Sequence, residues 1–165
     1  IPVFWTHELG TSPEQGSFAL TVFFSIGIFM TYIGGLLGDK YGPIKIIRLS
    51  LLIWLPSMFL LTQVPQFSAA IMMPLAYLIL LMIGAAKAIS YSPVIVLGQT
   101  YLAKSIGFAS GITLGVSQTI GGIIAPVVGN LADTYSLSLA MMTLVPFLIV
   151  GLGASLLLKD PKKLQ

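Results

Sequence analysis

Residues 17–42 read SFALTVFFSIGIFMTYIGGLLGDKYG. The run 17–38 is long and apolar enough to cross a bilayer as a helix, which takes roughly 20 residues at about 1.5 Å each. It closes in the polar turn Asp39-Lys40-Tyr41-Gly42-Pro43. The run is too long for a barrel strand and lacks the strict alternation such a strand needs. Four further windows of the same kind follow, at about 44–64, 70–101, 106–131 and 137–158. The third is long enough to tilt or kink. The expected fold is therefore an all-α membrane protein: one partial transmembrane domain over residues 1–165 with five membrane-spanning helices.

Composition agrees. Hydrophobic residues make up 56% of the chain and charged residues 8%, and the mean hydropathy is +1.00. A soluble domain carries about 25% charged residues because its surface faces water, so lipid must solvate much of this one. The chain has no cysteine and a single histidine, His7, which removes disulfide frameworks, thiolate metal sites and histidine-rich centres. No metal and no cofactor are expected. The opening Ile1-Pro2-Val3-Phe4-Trp5 lacks an initiator Met and a basic leader and reads as the tail of an earlier hydrophobic segment, so the chain is read as truncated at its N-terminus.

The net charge of +3 is a membrane-orientation signal rather than a nucleic-acid footprint. Lys40, Lys45 and Arg48 fall between the first two windows, Lys104 between the third and fourth, and Lys159, Lys162 and Lys163 after the fifth. Cytoplasmic loops carry such an excess, which places the C-terminus in the cytoplasm and Ile1 outside, in the inner membrane. The other separators, Gln63-Val64-Pro65-Gln66 and Asp133-Thr134-Tyr135-Ser136, carry no Lys or Arg. Ser12 before Pro13 is a candidate helix cap. His7, Glu8 and Glu14 belong to a solvated external loop, and Asp133 to an external turn. Trp5, Tyr32, Tyr41, Tyr101 and Tyr135 suit an aromatic belt, and Trp54, in mid-window, is assigned no function.

The stretch Gly35-Leu36-Leu37-Gly38-Asp39-Lys40-Tyr41-Gly42 resembles the signature loop of the major facilitator superfamily, roughly G-x-L-x-D-[RK]-x-G. It departs after Gly42, where Pro43 and Ile44 replace two basic residues. A plain cytoplasmic turn is the simpler alternative. Glycines let helices approach closely, and Asp39 can accept hydrogen bonds from a helix N-terminus or a basic side chain, so Gly35, Asp39, Lys40 and Gly42 form a candidate gating loop. Residues 101–111 resemble the superfamily's short cytoplasmic link and next helix start. Residues 121–133 resemble the G-G-x-x-x-P-x-x-G-x-x-A-D end of the eleventh helix in fosmidomycin-resistance-like and related bacterial permeases. That pattern also occurs in the fifth helix of some antiporters, which leaves an N-terminal half open; the short basic tail favours the C-terminal half. The resemblance implies the end of a seventh helix followed by helices eight to twelve, with the N-terminal half missing.

Lys87 lies about 20 Å deep, some 14 residues before the end of its window. An ammonium near the bilayer centre costs about 2.5–3.5 kcal/mol on insertion scales, so it should face a bundle interior or a watery cavity. The alternative is a structural lysine held by carbonyls or by an acid in the missing half. Ser90 and Tyr91 follow at i+3 and i+4 on the same face, and Pro93 can kink the helix. With Gln118 they make a candidate substrate cavity. Gly107, Gly111 and Gly115 recur every four residues, and with Gly122 and Pro126 are candidate helix-packing positions.

The expected function is secondary active transport, proton-coupled efflux or exchange of a small solute or organic anion, by alternating access. The partners are that solute, protons, the lipid bilayer and the missing half. No enzyme is expected: the chain has no His/Asp/Ser constellation, no paired intramembrane carboxylates and no metal cluster. An intramembrane enzyme and an accessory membrane subunit are the alternatives. The charge sorting makes a direct prediction. A cysteine placed at Pro43 or Lys162 should be labelled by a membrane-impermeant thiol reagent only from the cytoplasmic side, and one at Ser12 only from outside. Labelling of Pro43 and Ser12 from the same side contradicts the topology.

Overall fold

The computed structural model of the protein describes residues 1–158, apart from the side chain of Ala69. Lys159, Lys162 and Lys163, which complete the basic sorting, lie outside the described residues. Among those described there is no strand. The helices are α1 (Pro2–His7), α2 (Pro13–Tyr41), α3 (Pro43–Gln63), α4 (Ala69–Ile89), α5 (Tyr91–Tyr101), α6 (Ile106–Thr134), α7 (Leu137–Met142) and α8 (Val145–Leu157), with short 3-10 turns at Val64–Gln66 and Ala103–Ser105. They make five spans long and apolar enough to cross a membrane: α2, α3 with its turn, α4 with α5, the Ala103–Ser105 turn with α6, and α7 with α8.

Local chemistry sets the helix ends. Ser12 caps α2 by accepting from the Gln15 backbone N–H at 3.4 Å, and Pro13 at the first helical position needs no such partner. The expected turn at residues 39–43 is reduced to one residue. Asp39, Lys40 and Tyr41 continue α2, and Gly42 alone links it to α3. Gly42 has φ +95° and ψ 138°, and its N–H donates to the Gly38 carbonyl at 2.9 Å. The following Pro43 forces its predecessor to be extended, and the positive φ excludes an unstrained side chain. A helix therefore stops and a second starts without a loop.

Two spans break at prolines. Pro93 has no N–H to offer the Ile89 carbonyl four residues back, and the third span divides at Ser90 into α4 and α5. Pro146 likewise has no N–H for Met142, and Thr143-Leu144 separates α7 from α8. The first break is used in packing. A side chain at Gly34 of α2 would collide with the Ile89 carbonyl, one at Gly35 would stand 3.2 Å from the Ser92 hydroxyl, and one at Gly38 would stand 3.1 Å from the Pro93 ring. Without hydrophobic drive in lipid, helices associate through such close approach.

The largest buried cluster gathers where α1 meets α2, α3 and α4. It contains Phe4, Trp5, Leu9, Met58, Leu61, Val64 and Leu80. Trp5 is therefore not a belt residue but a fully buried one, its ring 5.6 Å from that of Tyr77. Trp54 also turns inward. Its indole N–H is buried without a partner, and the ring borders a groove with Ser117 and Gly121 of α6 and Phe147 of α8.

Two polar contacts tie the last span to the first helices. Arg48 on α3 donates through Nε and Nη2 to the Ser155 carbonyl at 3.1 and 2.7 Å, and through Nη2 to the Leu156 and Leu158 carbonyls at 3.4 and 3.5 Å. It thereby partners two of the orphan acceptors at the end of α8. Glu8, expected in a solvated loop, accepts from the Ser138 N–H in the first turn of α7 at 3.3 Å, where a carboxylate suits the helix dipole. By contrast α6 packs against α5, α7 and the adjoining turn, and Ala109 is its one buried residue.

The close approach at Gly34 predicts a selective loss of stability. Gly34→Val should cost about 1–3 kcal/mol through overpacking and lower the melting temperature of the detergent-solubilised full-length protein. Gly153→Ala, where an added Cβ meets nothing within 4 Å, should leave it unchanged. Equal melting curves for the two variants refute this packing.

Candidate functional site

A groove of about 280 Å³ runs between α2 and the α4–α5 break. On α2, Phe23, Gly27 and Thr31 recur every four residues and so share one helix face, with Phe24 and Ile28 beside them. Opposite stand Lys87 and Ala88 of α4 and Tyr91 of α5. Gly27 leaves room for Ala88, whose Cβ would lie 3.9 Å from an added methyl. Residues 23–31 are central in the span Pro13–Tyr41, and Lys87 and Tyr91 are central in Ala70–Tyr101. Two independent spans thus put the groove at mid-depth.

Lys87 is exposed within this chain. Its Nζ stands 5.4 Å from the centre of the Phe23 ring, within the range of a cation–π contact. Among the described residues the ammonium has neither an ion-pair partner nor a hydrogen-bond acceptor. Thr31 directs its hydroxyl proton to the Gly27 carbonyl at 2.8 Å, which leaves its oxygen free to accept. Tyr91 is half exposed at the groove edge. The surface is therefore mainly apolar, with one cation and two hydroxyls.

The structure brings together only part of the expected cavity set. Lys87 and Tyr91 share the groove. Ser90 does not line it: its hydroxyl donates back to the Lys87 carbonyl at 3.0 Å, because the helix turns at that residue. Gln118 is exposed on α6 and does not line the groove. Phe23 and Thr31 were missed by sequence reasoning. Their four-residue spacing with Gly27 was visible, but many such sets exist in an apolar helix, and nothing in one dimension says which faces α4.

The candidate gating residues are distributed differently from a loop. Gly35 packs on Ser92, Asp39 and Lys40 are exposed on the last turn of α2, Lys40 Nζ lies 5.2 Å from the Tyr41 ring centre, and Gly42 is the link. The candidate packing positions Gly107, Gly111, Gly115 and Gly122 have nothing within 4 Å of an added Cβ, and Pro126 is exposed. Within the described residues this face of α6 is unpacked. The face that does engage carries Ser110 and Thr113. Gln99 Nε2 of α5 donates to Ser110 Oγ at 2.8 Å, and Gly98 admits the Thr113 hydroxyl. No group of three or more His, Cys, Asp or Glu that could hold a metal occurs among the described residues.

Comparison with known proteins gives two findings. The family model of the Major Facilitator Superfamily matches residues 1–165. A Bacillus subtilis (strain 168) protein described as the uncharacterized MFS-type transporter YfnC is 32% identical over 151 residues, which cover 92% of this chain and 35% of that protein. The chain thus spans about a third of the length of that relative. No solved structure matches the chain significantly.

Proposed function

We propose, because this chain belongs to the Major Facilitator Superfamily, that the full-length protein is a secondary active transporter and that the groove around Lys87 is one wall of its substrate cavity. The chain supplies five helices of the C-terminal half, and an N-terminal half completes the cavity. Transport proceeds by alternating access, as two halves rock about a central site. The solute is small, its movement is efflux or exchange, and protons are the coupling ion. The protein sits in the bacterial cell membrane with its C-terminus in the cytoplasm. The spans α2, α4–α5 and α6 face the cavity, and α3 and α7–α8 are peripheral.

The observation that carries this reading is the mid-span position of Lys87 in a groove open to one side. A lysine against hydrocarbon at that depth is costly, and intramembrane charges face a bundle interior or water. Lys87 has no acid partner among the described residues, so its surroundings must come from beyond this half or from solvent. Gln118, exposed on α6, and Ser90, at the helix break, complete the polar positions assigned to the cavity. The free face of α6 with Gly107, Gly111 and Gly115 suits packing by a further helix.

Asp39 is assigned to the gate. It stands on the last turn of α2, where the dipole's negative end disfavours a carboxylate. A contact that offsets this, with a cation or a helix N-terminus of the other half, would form in one state and break in the other. Asp39→Asn should therefore lower solute flux by the full-length protein in vesicles by about tenfold or more, with its membrane level within about twofold of the parent. That factor corresponds to about 1.4 kcal/mol. Unchanged flux would reduce the residue to part of a connector.

A further inference from the structure

We propose that the ligand of the α2–α4 groove is an amphipathic organic anion, its anionic group against Lys87 and its apolar body on Phe23, Phe24 and Ile28. This rests on the reading of the groove as a cavity wall and goes further by naming the chemistry of what occupies it. Three observations converge on that chemistry. The groove carries one positive charge and, among the described residues, nothing negative to balance it. A cationic solute would be repelled there, and charge complementarity favours an anion. Its hydrogen-bonding side chains are Lys87, Thr31 and Tyr91, too few for a sugar-like solute whose every hydroxyl needs a partner. The remaining surface is aromatic and aliphatic, with Phe24 and Ile28 59% and 73% exposed. A small inorganic anion would leave those side chains uncovered, whereas an apolar body would bury them.

Geometry also orients the ligand. The ammonium lies over the Phe23 ring at 5.4 Å, which holds the charge inside the groove instead of letting it snorkel away. Tyr91 stands across the α4–α5 break from Lys87 and lines the same groove, so its hydroxyl can donate to the second oxygen of a carboxylate or sulfonate. Thr31 Oγ1, already donating to Gly27, can only accept. It therefore favours no anion oxygen and marks the edge where the anionic group ends.

The test uses the full-length protein in nanodiscs and 2-naphthoate as the probe, with the neutral isostere 2-naphthamide and with acetate. Binding is read by fluorescence with empty nanodiscs subtracted, so that partition into lipid is removed. Naphthoate should bind at least tenfold more tightly than naphthamide and than acetate. Lys87→Met should abolish the preference for naphthoate over naphthamide, and Lys87→Arg should keep it. Tyr91→Phe should weaken naphthoate binding a fewfold without altering that of naphthamide. If Lys87→Met does not fold, Phe24→Ala replaces it and should weaken naphthoate and naphthamide alike by fivefold or more. Equal binding of naphthoate and naphthamide, tighter binding of 2-naphthylmethylamine, or a naphthoate preference that survives Lys87→Met overturns the proposal. A lysine paired with an acid of the other half gives the first of these results. A cysteine at Ile28 tests the transport reading separately. Alternating labelling from the two sides with no anion preference overturns the ligand assignment alone. Labelling from one side only under all conditions overturns the transport reading itself.

Discussion

The arrangement of these helices depends on one close approach, that of the glycine face of α2 to the broken backbone between α4 and α5. Pro93 removes a hydrogen bond and exposes the Ile89 carbonyl. Gly34 leaves the space in which that carbonyl sits, while Gly35 and Gly38 accept Ser92 and the Pro93 ring. A polar backbone group inside a membrane protein is tolerated only where protein or water surrounds it, so the break and the glycines require one another. Their contact fixes both the rotation and the height of α2 against α4. One, two and three turns earlier on α2, the same register sets Thr31, Gly27 and Phe23 opposite Tyr91, Ala88 and Lys87. The groove is a consequence of the packing below it.

The two long-range polar contacts act at helix termini, where the backbone has unpaired groups. Arg48 serves the carbonyls that end α8, and Glu8 serves an N–H that begins α7. Both join residues more than a hundred positions apart and hold the last span to the first helices. Between those anchored elements α6 remains thinly covered, attached at one end through Gln99 and Ser110 and at the other through the turn to α7. A helix so arranged presents a long apolar side with a glycine stripe.

Membrane location, helical class and the family resemblance were legible because each is written in one dimension. Hydropathy over twenty residues identifies a span, a proline marks where a helix can break, Ser12 before Pro13 marks where one starts, and residues 35–42 carry a recognisable signature. The errors have a common cause. Glu8 reads as solvated and Trp5 as a belt residue when only place along the chain is used, whereas Glu8 accepts from the Ser138 N–H and Trp5 is buried. The turn at residues 39–43 was expected as a loop because its residues are polar, yet polar residues extend a helix readily once Gly42 supplies the conformation that ends it.

In a soluble protein the apolar stripe of a helix names the inward face. Here lipid is as apolar as the bundle interior, so side-chain hydrophobicity does not distinguish the two. The sequence by itself therefore determined that these helices are long and apolar enough to span a membrane and that Lys87 lies near the middle of one. Only the tertiary structure decided which faces meet, that Phe23 stands beside Lys87 with no acid there among the described residues, that Ser90 turns back on its own helix and that Gln118 lies outside the groove. Those outcomes depend on steric fit at Gly34, Gly35 and Gly38 and on backbone groups left unpaired at helix ends, and both become visible only when helices distant in sequence are brought together.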